Sequence, residues 1–235
     1  MASEIKANKL SPATGTALEI GDSGDTVTLS GTGAGFPGFN KWTPVTATDA
    51  TFDLQSGTTI LIVEVQAAGG HGGTSDSGTR TGGPGGGGAY AKKLLTGMSD
   101  TDTLNITIGA AAAVAASGTT TSVATASGTS FTTITCTGGA GGTTAAGSYA
   151  AGGAGGALPT TGDLNIKGQD GAFTDHAQED VTGGNSMFGF GGQNAASTTV
   201  AGAGTGYGSG GQGGRGASNA GAAGTPGIVI IWEYK

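Results

Sequence analysis

Residues able to do chemistry are few in this 235-residue chain, and they crowd into one stretch. Positions 157–182 hold Asp163, Asp170, Asp175, Glu179 and Asp180, five of the sixteen acids, with Phe173 and His176 between them. Carboxylates beside an aromatic ring and an imidazole can grip a sugar or a cationic surface group. Several carboxylates could also hold calcium, but the spacing is not that of an EF-hand, so no metal is expected. A solvated loop whose charges preserve solubility is the plain alternative. Shorter polar stretches offer further contacts: 74–81 with Asp76 and Arg80, 143–151 with Tyr149, and 193–207. His71 and His176 are far apart and have no partner at metal-ligand spacing. The single cysteine, Cys136, falls in a strand pattern and reads as a small buried hydrophobe. Gly33-x-Gly35-x-x-Gly38 and Gly206-x-Gly208-x-x-Gly211 spell the dinucleotide pattern, but neither lies between a strand and a helix. There is no P-loop and no nucleophile elbow. The residues therefore predict binding without catalysis, no enzyme and no cofactor.

The elements that must position these side chains are dominated by glycine, 52 of the 235 residues, against a usual share of about 7%. Only 11% of residues are charged and the net charge is −7, which lacks the basic stripe of a nucleic-acid-binding surface. No apolar run is long enough to insert in a membrane, and Met1–Lys9 shows no secretory signal. Glycine at this level suggests disorder until its placement is considered. A unit Gly-Gly-X-Gly-Gly recurs. It comprises Gly69, Gly70, Gly72 and Gly73 around His71, and Gly82, Gly83, Gly85 and Gly86 around Pro84. The third copy is Gly138, Gly139, Gly141 and Gly142 around Ala140. Two more follow: Gly152, Gly153, Gly155 and Gly156 around Ala154, and Gly210, Gly211, Gly213 and Gly214 around Gln212. A period of three matches polyproline II, which has three residues per turn. One face then carries X and two faces carry no Cβ, so backbones can approach to roughly the ~5 Å of paired strands and bond to one another. The expectation is a bundle of such segments fused to packed β-structure.

That β-structure is visible between the glycine units. Strands are predicted at Thr59–Gln66, Ala89–Leu95, Leu104–Ile108, Thr119–Ala126, Ser130–Thr137 and Gly227–Tyr234, from β-branched and apolar runs. No stretch has a helical period, so the fold class is all-β: a short-strand, sandwich-like domain combined with a glycine-rich polyproline II bundle. Phe188 and Phe190 read as core. Met1–Gly38 is polar and turn-rich, too thin to form a core by itself, and a boundary is placed near Gly38–Trp42. This gives an N-terminal segment, 1–38, and a glycine-rich domain, 39–235.

The order of these motifs resembles a known family. A strand running into glycines (Ile60–Gly73) is followed by Gly-Gly-Gly-Gly-Ala-Tyr-Ala (Gly85–Ala91), Leu104–Ala110 and Gly-Gly-Ala-Gly-Gly. Gly162–Gly171, Ser186–Gly192, Gly206–Gly214 and a terminal Thr225–Tyr234 complete it. This resembles the glycine-rich domain at the C-terminus of bacteriophage tail-fibre and tail-tip proteins, over about Phe52 to Lys235. The leading residues are similar to N-terminal segments of fibre proteins of marine and cyanobacterial phages. The resemblance implies a virion protein, a receptor-binding adhesin whose variable loops contact a host cell-surface glycan or protein. It implies a homotrimer joined to other tail proteins through residues 1–38, and receptor contacts drawn from Asp76, Arg80, Tyr149, Asp170, Phe173, Asp175 and His176. A structural virion component without a receptor site is the alternative. This chain departs from the richest examples by replacing glycine with alanine or threonine at 110–116 and 143–146.

Overall fold

The computed structural model describes residues 38–76, 80–111, 113–145, 150–174, 181–193, 200–216 and 218–235. The N-terminal segment, apart from Gly38, lies outside the described residues. The all-β expectation holds: the described residues form no helix and nine strands. These are β1 (Phe39–Val45), β2 (Asp49–Asp53), β3 (Ile60–Gln66), β4 (Tyr90–Thr96), β5 (Thr103–Thr107), β6 (Thr121–Ser127), β7 (Ile134–Cys136), β8 (Leu164–Ile166) and β9 (Ile228–Tyr234). One antiparallel sheet has the order β1-β9-β3-β4-β8 and the other β2-β5-β6-β7.

Alternation along the strands sets the core. Leu61, Val63 and Val65 of β3 stand in register with Leu95 and Ala91 of β4, and with Val229 and Ile231 of β9. This row packs against Leu104, Ile106, Val123, Ile134 and Cys136 of the second sheet. Cys136 is fully buried, its thiol donates to the Val65 carbonyl (3.3 Å), and burial pushes its pKa up to about 12. The other face of the five-stranded sheet is different. It presents Phe39, Trp42, Leu94 and Leu164 with much of their surface exposed. Trp232 stacks at a tilt on Trp42 (5.9 Å between ring centroids), and its indole N–H donates to Glu64 (2.9 Å).

The glycine segments continue the strands. β3 runs into 67–75, and 81–89 returns into β4. β7 leads to 137–145 and β8 to 167–174, while 219–227 returns into β9. These segments are joined main chain to main chain at every third residue. Ala67, Gly70 and Gly73 donate to Ala89, Gly86 and Gly83 (2.9, 2.8 and 2.7 Å). Gly83, Gly86 and Ala89 donate to Thr143, Ala140 and Thr137 (2.9, 2.9 and 3.0 Å). Gly82, Gly85 and Gly88 donate to Gly214, Gly211 and Gly208 (2.8, 2.8 and 2.7 Å).

Glycine is needed here for close approach. None of the twenty glycines of the repeated unit has a positive φ. A Cβ added to any of them would lie closer than 3.0 Å to a neighbouring carbonyl oxygen. Gly153 would meet the Ala140 carbonyl and Gly155 that of Gly168. We therefore predict that Gly153→Val and Gly155→Val each destabilise the protein by at least about 1–3 kcal/mol, as overpacking does. Gly38→Ala, where a Cβ meets nothing within 4 Å, should leave thermal or denaturant unfolding unchanged.

Candidate functional site

Outgoing glycine segments must turn back, and the bases of four of these reversals gather at one end. Residues 76–80 connect Ser75 to Thr81, 146–149 connect Ala145 to Ala150, 175–180 connect Thr174 to Val181, and 216–218 connect Arg215 to Asn219. The bases of these four reversals are bonded to one another, each to at least one neighbour. The Ser75 amide donates to Asn219 O (2.9 Å), the Asn219 amide donates to Ser75 Oγ (3.0 Å), and Ser75 Oγ donates to Gly216 O. The Ala145 amide donates to Thr74 O (2.9 Å). Thr174 exchanges main-chain bonds with Ala150 (3.2 and 3.4 Å), and its hydroxyl donates to Ala150 O (2.9 Å). Thr81 bridges Arg215, and the Gly216 amide donates to Arg80 O (3.1 Å). Ser75 and Thr174 are buried and bonded through their hydroxyls, Thr174 also to the carbonyl of buried Thr81 (3.4 Å), so the loops start and stop at fixed points.

This rim lies opposite the point where the chain joins the sheet. Gly38 accepts a bond from the Lys235 amide (2.9 Å), and Phe39 pairs with Tyr234. Those positions are at the end of β9 remote from Ile228, which adjoins the glycine segments. The N-terminal junction and the rim thus occupy opposite poles of 38–235.

The residues predicted as receptor contacts divide accordingly. Asp76 and Arg80 face each other across their loop as an exposed ion pair (2.9 Å). Phe173 is 61% exposed, beside the anchored Thr174. Tyr149, Asp175 and His176 lie outside the described residues, in segments whose bases belong to the rim. Asp170 lies apart from the four loop bases. It sits on the flank, where Oδ1 accepts the Gly155 amide (2.7 Å) and the Lys167 ammonium (2.9 Å). Asp163 likewise accepts the Leu94 amide (2.8 Å) and pairs with Lys93. Among the described residues no three metal-ligating side chains cluster. The reading of both phenylalanines as core is corrected in part. Phe188 packs edge-on against Tyr90 (5.5 Å), but Phe190 projects into solvent. Its flanking glycines pointed to packing, and the packing is of backbone alone.

No protein-family model and no curated protein matches the chain. No helix among the described residues is long and apolar enough to cross a membrane.

The Lys167 hydrogen bond, then the Gly155 amide, hold the Asp170 carboxyl below the usual carboxylate range. A carboxylate depressed on folding stabilises the native state above its unfolded pKa of about 3.9, and the gain is lost as pH falls through the folded value. Because the side chain is largely exposed, the effect is small, on the order of 0.2–1 kcal/mol. Asp170→Asn keeps an acceptor for Gly155. It should melt slightly below the parent protein at pH 7, and the gap should close below about pH 4.

Proposed function

We propose that this chain is the receptor-binding tip of a bacteriophage tail fibre, attaching the virion to a host cell-surface glycan or protein by binding alone. The observation that carries this reading is the rim: four loops whose bases are hydrogen-bonded to one another, at the pole opposite the N-terminal junction. A rigid scaffold that presents loops at one end and is tethered at the other is the geometry attachment requires. The three-residue spacing of the main-chain bonds supports reading the glycine segments as polyproline II helices. The negative net charge offers no footprint for nucleic acid.

In this reading residues 1–38 join the chain to other tail proteins and to sister chains, as a homotrimer. The exposed face of the five-stranded sheet is where a second copy would pack. It combines Phe39, Trp42, Leu94 and Leu164 with the part-buried Ile62, Ile230 and Trp232, and holds a groove of about 290 Å³ beside Lys92. A contiguous apolar face of this kind marks an interface in soluble proteins.

Two measurements test the reading. Fluorescently labelled protein should bind susceptible bacteria saturably. Replacing 175–180 with glycine and serine, or changing Asp76→Ala with Arg80→Ala, should weaken attachment at least about tenfold, the equivalent of about 1.4 kcal/mol. Undiminished binding by the rim variants overturns the rim as the site, and no binding by the parent favours a structural virion component. Sedimentation should show an oligomer that Trp42→Glu or Leu94→Glu converts to monomer; a parent protein that is monomeric at micromolar concentration removes the sheet face as the interface.

A further inference from the structure

The flank of the glycine bundle carries a cleft of about 360 Å³, lined by Phe190, Asn185, Gln193, Thr182 and Thr205 among others. That lies at the lower end of the roughly 300–1,000 Å³ found for small-molecule sites. Phe190, at 76%, is more exposed than any other large apolar side chain among the described residues. Its outward position is imposed by the backbone. The Phe190 carbonyl accepts the Thr205 amide (3.0 Å) and hydroxyl (3.3 Å). Gly189 and Gly191 on either side have no room for a Cβ against the carbonyls of Thr205 and Gly183.

Asn185 is held as firmly. Its main-chain N–H donates to Gln169 Oε1 (3.0 Å), and its Oδ1 accepts the Gly191 amide (2.8 Å). The Gly191 bond requires an acceptor, so it fixes which end of the side-chain amide is oxygen and leaves both Nδ2 hydrogens for a ligand. Among the described residues nothing takes those hydrogens, the Gln193 side-chain amide or the Thr182 hydroxyl. Among the described residues that line it, none is ionisable.

An aromatic face beside fixed, uncharged donors and acceptors complements a pyranose, which has one C–H face and a rim of hydroxyls that both donate and accept. Its described lining holds no cation for a phosphate or carboxylate and no anion for an amine. We propose that this cleft binds a neutral hexose or N-acetylhexosamine unit of a glycan. The site goes beyond the attachment reading, and among its described lining residues only Thr182 adjoins a rim base.

The test is cell-free titration of the full chain, by calorimetry and saturation-transfer NMR, with the methyl glycosides of glucose, galactose, mannose and N-acetylglucosamine, and with sialic acid as a charged control. At least one neutral glycoside should bind saturably at millimolar concentration, with an affinity that added salt leaves unchanged. Phe190→Ala removes the stacking face. Asn185→Asp keeps the acceptor for Gly191 and removes both donors. Each should weaken binding by about tenfold while melting as the parent does, a loss of the size expected for one or two missing contacts. No saturable binding of any of the four neutral sugars, equal binding by both variants, or binding of sialic acid alone overturns the proposal. Because no cells are present, its failure leaves rim-dependent attachment standing, and loss of attachment in the rim variants leaves sugar binding intact.

Discussion

Segment 82–88 is surrounded by other backbones, and the rest of the molecule is arranged to make that possible. Six stretches of chain touch it through main-chain bonds. Three are 67–73, 137–143 and 208–214. The others are 153–156, through Pro84 O and Gly87 O, then Gln169, which accepts from Gly87, and Gly184, which donates to Gly85 O. Every N–H from Gly82 to Gly88 finds a carbonyl, and the one residue with no N–H to place is Pro84. A segment so enclosed has no room for a Cβ at any position but Pro84, and this is why the glycine run is longest here. Gly87 falls where the three-residue frame would allow a side chain, and a Cβ there would collide with the Asn185 carbonyl. Outer segments keep a free face, so Ala154 occupies the same frame position and is exposed.

Ordering so much glycine costs more conformational entropy than ordering other residues. The bundle has little apolar surface of its own with which to offset that cost. The β-sandwich supplies it. Its buried row of Leu61, Val63, Val65, Val229 and Ile231 fixes the ends of the chain segments that run into the bundle, so strand register sets bundle register. Two periodicities are thereby joined: two residues in the sheets, where side chains do the packing, and three in the bundle, where the backbone does.

Those two periodicities also explain what could be read from the sequence. β3, β4, β5, β6 and β9 were legible because both neighbours and faces demand β-branched or apolar residues. β1 was not. It is an edge strand with an exposed face, and it tolerates Pro44 because it pairs on one side only, with β9. β2 is another edge strand, and β8 is three residues long. β7 is shorter than its threonine-rich run predicted, since the Phe131 amide is taken by the Thr125 hydroxyl instead of a ladder partner. The glycine frame was legible, but the gathering of the loops at one pole was not, because it follows from which distant segments pair.

The polar side chains of the bundle follow from the same accounting. Where a segment is irregular and a backbone N–H lacks a carbonyl, a side chain supplies the oxygen. Gln212 accepts from Gly202 (2.8 Å), Asp170 from Gly155 (2.7 Å), Gln169 from Asn185 (3.0 Å) and Asn185 from Gly191 (2.8 Å). Leaving such a donor buried and unpaired would cost about 1–3 kcal/mol. This separates residues that look alike in sequence. Asp170 and Asp76 are both acids in polar insertions between glycine runs, yet Asp170 completes the scaffold, while Asp76, among the described residues, pairs across its own loop. A carboxylate whose partner is a backbone amide of another segment is tied to the fold. One whose only bond lies within an exposed loop can be exchanged without disturbing the bundle, and that freedom lets loops change while the scaffold that presents them stays the same.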